Sequence, residues 1–142
     1  PVCWMHMQGE PRTMQSNPSY KNVVQEVTDF LLQRAETCLQ ARIKKEHIVL
    51  DPGFGFGKSL EHNLLLLKHY DVLCGLSYPV MMGISRKSML GAITGGKVDD
   101  RLIASIAAVV TGYQKDGRIF RVHDVKETKE ALLLCEALDS VN

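Results

Sequence analysis

Four short groups of residues in this sequence have the makings of chemistry, and they recur at intervals along the chain. They are Met5-His6-Met7-Gln8-Gly9, Asp51-Pro52-Gly53-Phe54-Gly55-Phe56-Gly57-Lys58, Gly83-Ile84-Ser85-Arg86-Lys87-Ser88 and Arg121-Val122-His123-Asp124. Among their residues are an acid (Asp51), the cations Arg86, Lys87 and Arg121, a titratable imidazole (His123) and exposed backbone.

The glycine-rich group fails two familiar readings on spacing. A phosphate-binding P-loop ending at Gly57-Lys58-Ser59 needs glycine where Pro52 stands, and a dinucleotide fingerprint needs one more residue before its third glycine. Alone it reads as an Asp-Pro-Gly turn. In company, Gly53, Gly55 and Gly57 allow close backbone approach to a flat ligand or unusual φ values, and Phe56 offers a ring to stack on it. Arg86 and Lys87 are surface charges unless Ser88 caps a short helix over Met89–Ile93, which would make an anion site with cations beside it. A carboxylate or phosphate suits such a site. Arg121 and His123 alternate along a strand end, so both side chains point one way and form a phosphate clamp. His6, His62 and His69 lack metal-ligand spacing, and the last two read as helix surface. Met5, Met7, Met81 and Met82 read as core, although a methionine at a strand end can pad an aromatic ligand.

The elements that must position these groups are legible in the apolar pattern. Val2–Met7, His47–Leu50, Pro79–Ile84 and Ile119–Val122 are strand-length and continuously apolar, as expected of strands covered on both faces. Helical spacing follows each strand. It runs through Val23, Val27, Phe30/Leu31, Ala35 and Cys38, then Leu60, Leu64 and Leu67 behind Ser59 as cap. It resumes over Leu102–Tyr113 behind Asp99-Asp100 as caps, and over Ala131, Leu134, Cys135 and Leu138. Strand starts near 2, 47, 79 and 118 suit repeated βα units with right-handed crossovers, hence a parallel α/β fold. In such folds the carboxyl ends of the strands share one rim, where the four groups should converge. A (β/α)₈ barrel takes about 250 residues, so four units are about half of one.

Composition narrows the partners. The 142 residues carry 17 Lys+Arg against 16 Asp+Glu, and the longest basic runs are only Lys44-Lys45 and Arg86-Lys87, so neither nucleic acid nor a membrane surface is an expected partner. With 45% hydrophobic residues one domain spanning 1–142 can bury a core. The longest apolar stretch, Leu102–Val110, falls short of the roughly 20 residues that cross a bilayer. Cys3, Cys38, Cys74 and Cys135 make no C-x-x-C pair, which argues for reduced thiols and a cytoplasmic setting. Opening on Pro1-Val2-Cys3, the sequence reads as part of something longer.

In their order and length the motifs Met-His-Met-Gln-Gly (5–9), Asp-Pro-Gly-Phe-Gly-Phe-Gly-Lys (51–58), Ser-Arg-Lys-Ser (85–88) and Arg-Val-His-Asp-Val (121–125) resemble those of the dihydropteroate synthases, and the resemblance covers the whole chain. It implies a TIM (β/α)₈ barrel of which this chain is the second half, strands five to eight of the pterin-binding domain. The implied reaction joins 6-hydroxymethyl-7,8-dihydropterin diphosphate to 4-aminobenzoate, releasing diphosphate and forming 7,8-dihydropteroate for folate synthesis; sulfonamides compete with aminobenzoate. It implies that Asp51 receives the amino-pyrimidine edge of the pterin, that Met5 pads its face and that Lys87 bonds its carbonyl or ring nitrogen. Arg121 and His123 would hold the diphosphate. Phe56 and Gly55 would border the aminobenzoate, whose carboxylate would meet the helix start at Ser88, with Gly83, Ser85 and Arg86 completing the substrate site. Magnesium is the implied cofactor, its principal protein ligand lying in the other half; no metal ligand is assigned in this chain. A homodimer is implied. Two other readings remain: a pterin-binding methyltransferase domain, which has no diphosphate to clamp, and a non-catalytic half-barrel module for binding or dimerisation.

Overall fold

The first two apolar runs form β1 (Val2–Met5) and β2 (Ile48–Asp51), paired in parallel with Val2 opposite Ile48 and Met5 opposite Asp51. The other two give shorter strands than their sequence predicts, β3 (Met81–Met82) and β4 (Ile119–Phe120), also parallel. Each ladder gains one more bond beyond its named strand before the backbone turns into a loop: His6 N–H donates to Asp51 at 2.9 Å, and Arg121 N–H to Met82 at 2.9 Å. A bridge between Leu50 and Val80, with Leu50 N–H donating to the Pro79 carbonyl at 2.9 Å, links the two pairs. Neighbours therefore run β1-β2-β3-β4, all parallel and without reversal. These observations come from a computed structural model that describes residues 1–141.

Helices cover one face of the strands. Ile48, Leu50 and Met82 are fully buried on that side, against a core that includes Val27, Leu31 and Ala35 of α1 (Val23–Gln40). Helix α1 buries the predicted stripe and starts at Asn22, whose side chain accepts from Gln25 N–H. The opposite strand face is open: Val49 and Met81 are half-buried, while Cys3 and Ile119 are exposed. Coverage on both faces is thus corrected to coverage on one, because none of Cys3, Val49, Met81 and Ile119 is buried.

Helix α2 (Leu60–Lys68) begins as predicted at Ser59, in a capping box completed by the His62 ring. Its inward side differs from the expected one. Asn63 and Leu66 are buried while Leu60 and Leu64 are exposed, because the Asn63 amide is tied to the preceding loop. A short α3 (Tyr70–Cys74) follows, then α4 (Ser88–Thr94) after β3. Asp99 and Asp100 do not cap α5 (Leu102–Tyr113); they form a separate 3₁₀ turn, and Arg101 precedes the helix. Helix α6 (Val125–Asp139) buries Thr128 but leaves Leu134 and Leu138 64% and 66% exposed, so its predicted apolar stripe is only partly covered. Among the described residues no helix is long and apolar enough to cross a membrane.

Candidate active site

Asp51 closes β2 and is 2% exposed. Its carboxylate accepts from Gly53 N–H at 2.7 Å, and Arg121 Nη2 stands 4.0 Å away. Burial pushes the Asp51 pKa up, against the opposing pull of the Gly53 bond and of Arg121, Lys87 and Lys58. The acid is thus poised to gain from a ligand that brings donors. Arg121, though half-exposed, lies flat over Gly83: a Cβ there would sit 2.6 Å from Nη2. Gly83 is therefore needed for the position of Arg121 above Asp51.

The glycine loop adopts the left-handed backbone its composition allows, with φ of 67°, 79° and 61° at Gly53, Gly55 and Gly57. A Cβ at Gly53 would collide with the His6 carbonyl, and one at Gly57 with the Gln8 backbone. Side chains hold the arch from beneath. Asn63 Oδ1 accepts from Gly55 N–H at 2.8 Å, the Tyr20 hydroxyl donates to the Gly57 carbonyl at 2.8 Å, and Gln15 donates to the Gly55 carbonyl. Lys58 Nζ lies 2.9 Å from His6 Nδ1, 3.0 Å from the Gly53 carbonyl and 3.1 Å from that of Phe56.

The Phe56 ring is half-buried and carries Lys87 Nζ 4.0 Å from its centroid. Burial lowers the Lys87 pKa, Arg121 adds to this, and Asp51 opposes it. Met5 is half-buried and abuts Gly53. Met5, Asp51, Gly83 and Arg121 thus form one group of neighbours and Gly55, Phe56 and Lys87 another, joined through Gly53, which bonds both Asp51 and Phe56.

Other predicted site residues serve the frame. Arg86 is no free cation: its guanidinium donates to both Asp124 carboxylate oxygens, at 3.1 and 2.5 Å. Ser85 is 4% exposed and is engaged by His123, whose N–H donates to its Oγ at 3.3 Å and whose Nδ1 lies 3.1 Å from it. The strand proper ends at Phe120, and the ladder bond from Arg121 N–H to Met82 carries the pairing one residue further, toward His123. His123 is exposed beside the rim. Ser88 is the first residue of α4 rather than its cap; Lys87 holds that position, with no capping side-chain bond.

Sequence reasoning missed the polar support, namely the buried His6, Lys58 and Asn63 and the partly buried Asp124. One signal was available: a lysine closing the glycine run and an asparagine five residues on, just before the apolar run Leu64–Leu67. A cleft of about 620 Å³ between the start of α1 and α2, lined by Tyr20, Asn22, His62, Leu65 and Val72 among others, contains none of the rim residues. Among the described residues, no group of three or more His, Cys, Asp or Glu side chains is placed to hold a metal ion.

The chain is thus a parallel α/β protein with a buried acid, cations and an aromatic ring gathered at its strand ends. Residues 1–123 match the family described as pterin binding enzyme, and the chain belongs to that family. It is 53% identical over 137 residues to the dihydropteroate synthase of Haemophilus influenzae, a match covering 96% of this chain and 50% of that protein. The crystal structure of dihydropteroate synthase from Stenotrophomonas maltophilia with active-site-bound imidazole superposes with a TM-score of 0.96 at 43% identity, over 100% of this chain and 54% of that one. That of the Xanthomonas albilineans enzyme in complex with 7,8-dihydropteroate gives 0.92 at 40% identity, over 100% and 52%. The chain spans about half the length of the relatives it matches.

Proposed function

We propose that this chain is the carboxyl-terminal half of a dihydropteroate synthase, contributing the last four units of a (β/α)₈ barrel. The unreversed order of the strands supports a barrel over a doubly wound sheet, in which the order reverses. The open face bearing Val49, Met81 and Ile119, and the outer edge of β1, are surfaces that a second half would cover. The match to half of each synthase supports the same reading.

The observation that carries the function is the buried Asp51 carboxylate at the rim beneath Arg121, with Lys87 and Phe56 beside it. Asp51 accepts hydrogen bonds from the amino-pyrimidine edge of a pterin, replacing the 4.0 Å contact with Arg121. Arg121 then turns to lie over the ring and, with His123, neutralises the departing diphosphate. Lys87 bonds the pterin carbonyl or ring nitrogen, while Met5 pads its face. Phe56 and Gly55 border 4-aminobenzoate, whose carboxylate meets the backbone amides at Ser88. The reaction is dissociative: the bond from methylene to diphosphate oxygen breaks, the pterin ring donates electrons to the cationic methylene, and the aniline nitrogen attacks it and loses a proton to the departing diphosphate. The chain stabilises charge and supplies no nucleophile. Arg86 and Ser85 position Lys87 and His123 from below.

Magnesium on the diphosphate falls to the other half, because one buried acid among cations does not fit a metal cage and no step here runs through the ion. The uncovered Ile103, Leu134 and Leu138 on α5 and α6 support a homodimer, and the free thiols of Cys3, Cys38, Cys74 and Cys135 support a cytoplasmic setting.

Calorimetry on the chain complemented by the amino-terminal half of the Haemophilus influenzae relative tests the role of Asp51. Asp51→Asn should weaken pterin binding by about 30-fold, roughly 2 kcal/mol, through loss of a charge-assisted acceptor. Aminobenzoate binding should stay within about threefold. Unchanged pterin affinity would refute the assignment.

A further inference from the structure

Lys58 is 3% exposed, so it cannot meet a ligand, yet it sits directly under the loop that forms the rim. An ammonium has three donors and no lone pair, so at His6 it donates to Nδ1, which leaves His6 neutral with its proton on Nε2. Its other two donors reach the Gly53 and Phe56 carbonyls. All three are used.

Gly53 is the pivot. Its N–H bonds the Asp51 carboxylate at 2.7 Å, while its carbonyl is held by Lys58 and also accepts from Phe56 N–H at 3.1 Å. An unbroken path thus runs from the Asp51 carboxylate through Gly53 to Lys58 and His6, and a branch runs from Lys58 to Phe56. His6 is itself fixed: it is 6% exposed, its ring meets Phe30 edge-on at 4.9 Å, and its N–H is bonded to Asp51.

We propose that Lys58 is a positioning residue of this site, a buried staple that with His6 fixes the glycine arch and so aims both Asp51 and Phe56. The proposal rests on the reading that Asp51 receives the pterin edge. Burial pushes Lys58 down to about 7 and His6 to about 4. Discharge of Lys58 does not undo the staple, since a neutral amine keeps two donors for the carbonyls and its lone pair can take the proton of a His6 Nδ1–H tautomer.

Amide exchange on the full chain tests the staple without any ligand. Lys58→Met keeps the aliphatic stem and removes the donors. Exchange at Gly53 and Phe56 should quicken about tenfold or more, with the α1 and α5 core amides within about twofold. His6→Phe should do the same, whereas His6→Gln, which keeps an acceptor, should stay close to wild type; this pair serves if Lys58→Met does not fold. Loop exchange unchanged in both Lys58→Met and His6→Phe, or quickened equally throughout the chain, would overturn the staple.

In the complemented protein, Lys58→Met should weaken 6-hydroxymethyl-7,8-dihydropterin diphosphate about tenfold while inorganic diphosphate stays within about twofold, because Arg121 and His123 lie outside the arch. Equal losses for both ligands would reduce Lys58 to a general stabiliser and overturn the positioning role. If wild type bound diphosphate but no pterin, the Asp51 reading would fall and the aiming role with it, whereas a Lys58→Met protein matching wild-type pterin affinity would sink this inference alone.

Discussion

Arg86 and Asp124 form a two-pronged ion pair that ties the loop after β3 to the loop after β4, Nε to Oδ2 at 3.1 Å and Nη2 to Oδ1 at 2.5 Å. The pair sets Lys87 and His123, their chain neighbours, at a fixed relation across the rim. Arg86 takes this place with a left-handed backbone, φ 56°, held by its N–H donating to Ser105 Oγ at 2.9 Å and its carbonyl accepting from Arg101 at 3.0 Å. Asp124 is held below the usual carboxylate range by its bonds to Arg86.

Glycine tolerates that backbone and alanine does not, while both lack the guanidinium. Arg86→Gly should therefore melt about 3 °C or more above Arg86→Ala. Calorimetric melting of the two variants checks this, and equal midpoints would mean that the left-handed turn is relaxed when the ion pair is lost.

Among the glycines, cost should follow close approach as well as φ. Gly95 has φ 74° and open space around its Cβ position, so Gly95→Ala should cost about 1 kcal/mol. At Gly53, where φ is 67°, the His6 carbonyl also blocks a Cβ, and Gly53→Ala should cost more than about 2 kcal/mol. Urea unfolding of both variants measures the gap; similar losses would argue against the packing of the arch on residues 6–8.

The staple also predicts how stability follows pH. Burial and the Lys58 charge lower His6 from 6.5 to about 4, so between these values the unfolded chain binds more protons and stability falls as pH drops. Burial lowers Lys58 from 10.5 to about 7, so stability rises with pH across that interval. Urea midpoints from pH 4 to 10 should show both slopes. His6→Gln should flatten the acid one and Lys58→Met the alkaline one, with unaltered slopes in either variant contradicting the burial of that group.

Much of this was readable from residue order. The α1 stripe, the Ser59 cap, the four strand sites and the glycine loop all follow from period and turn chemistry, which are local. What was not legible depended on partners distant in sequence. Arg86 looks like a solvated cation until Asp124, 38 residues on, is brought beside it. Lys58 looks like the end of a loop until His6 arrives from β1. The Leu60/Leu64 side of α2 was expected inward, but Asn63 turns the helix by bonding the loop before it. Strand length was overestimated because continuous apolar runs extend past the last ladder bond into the rim.

The most direct measurement of the central claim is dihydropteroate formation by the purified chain, with magnesium, pterin diphosphate and 4-aminobenzoate, alone and mixed with the amino-terminal half of the Haemophilus influenzae synthase. Alignment of the reacting groups is worth about 7 kcal/mol or more of barrier, and this chain offers only one side of the rim. No detectable product is expected from the chain alone or from the added half alone, and turnover is expected when the two are combined. Robust turnover by the chain alone, or none from a mixture shown by light scattering to have associated, would contradict the claim.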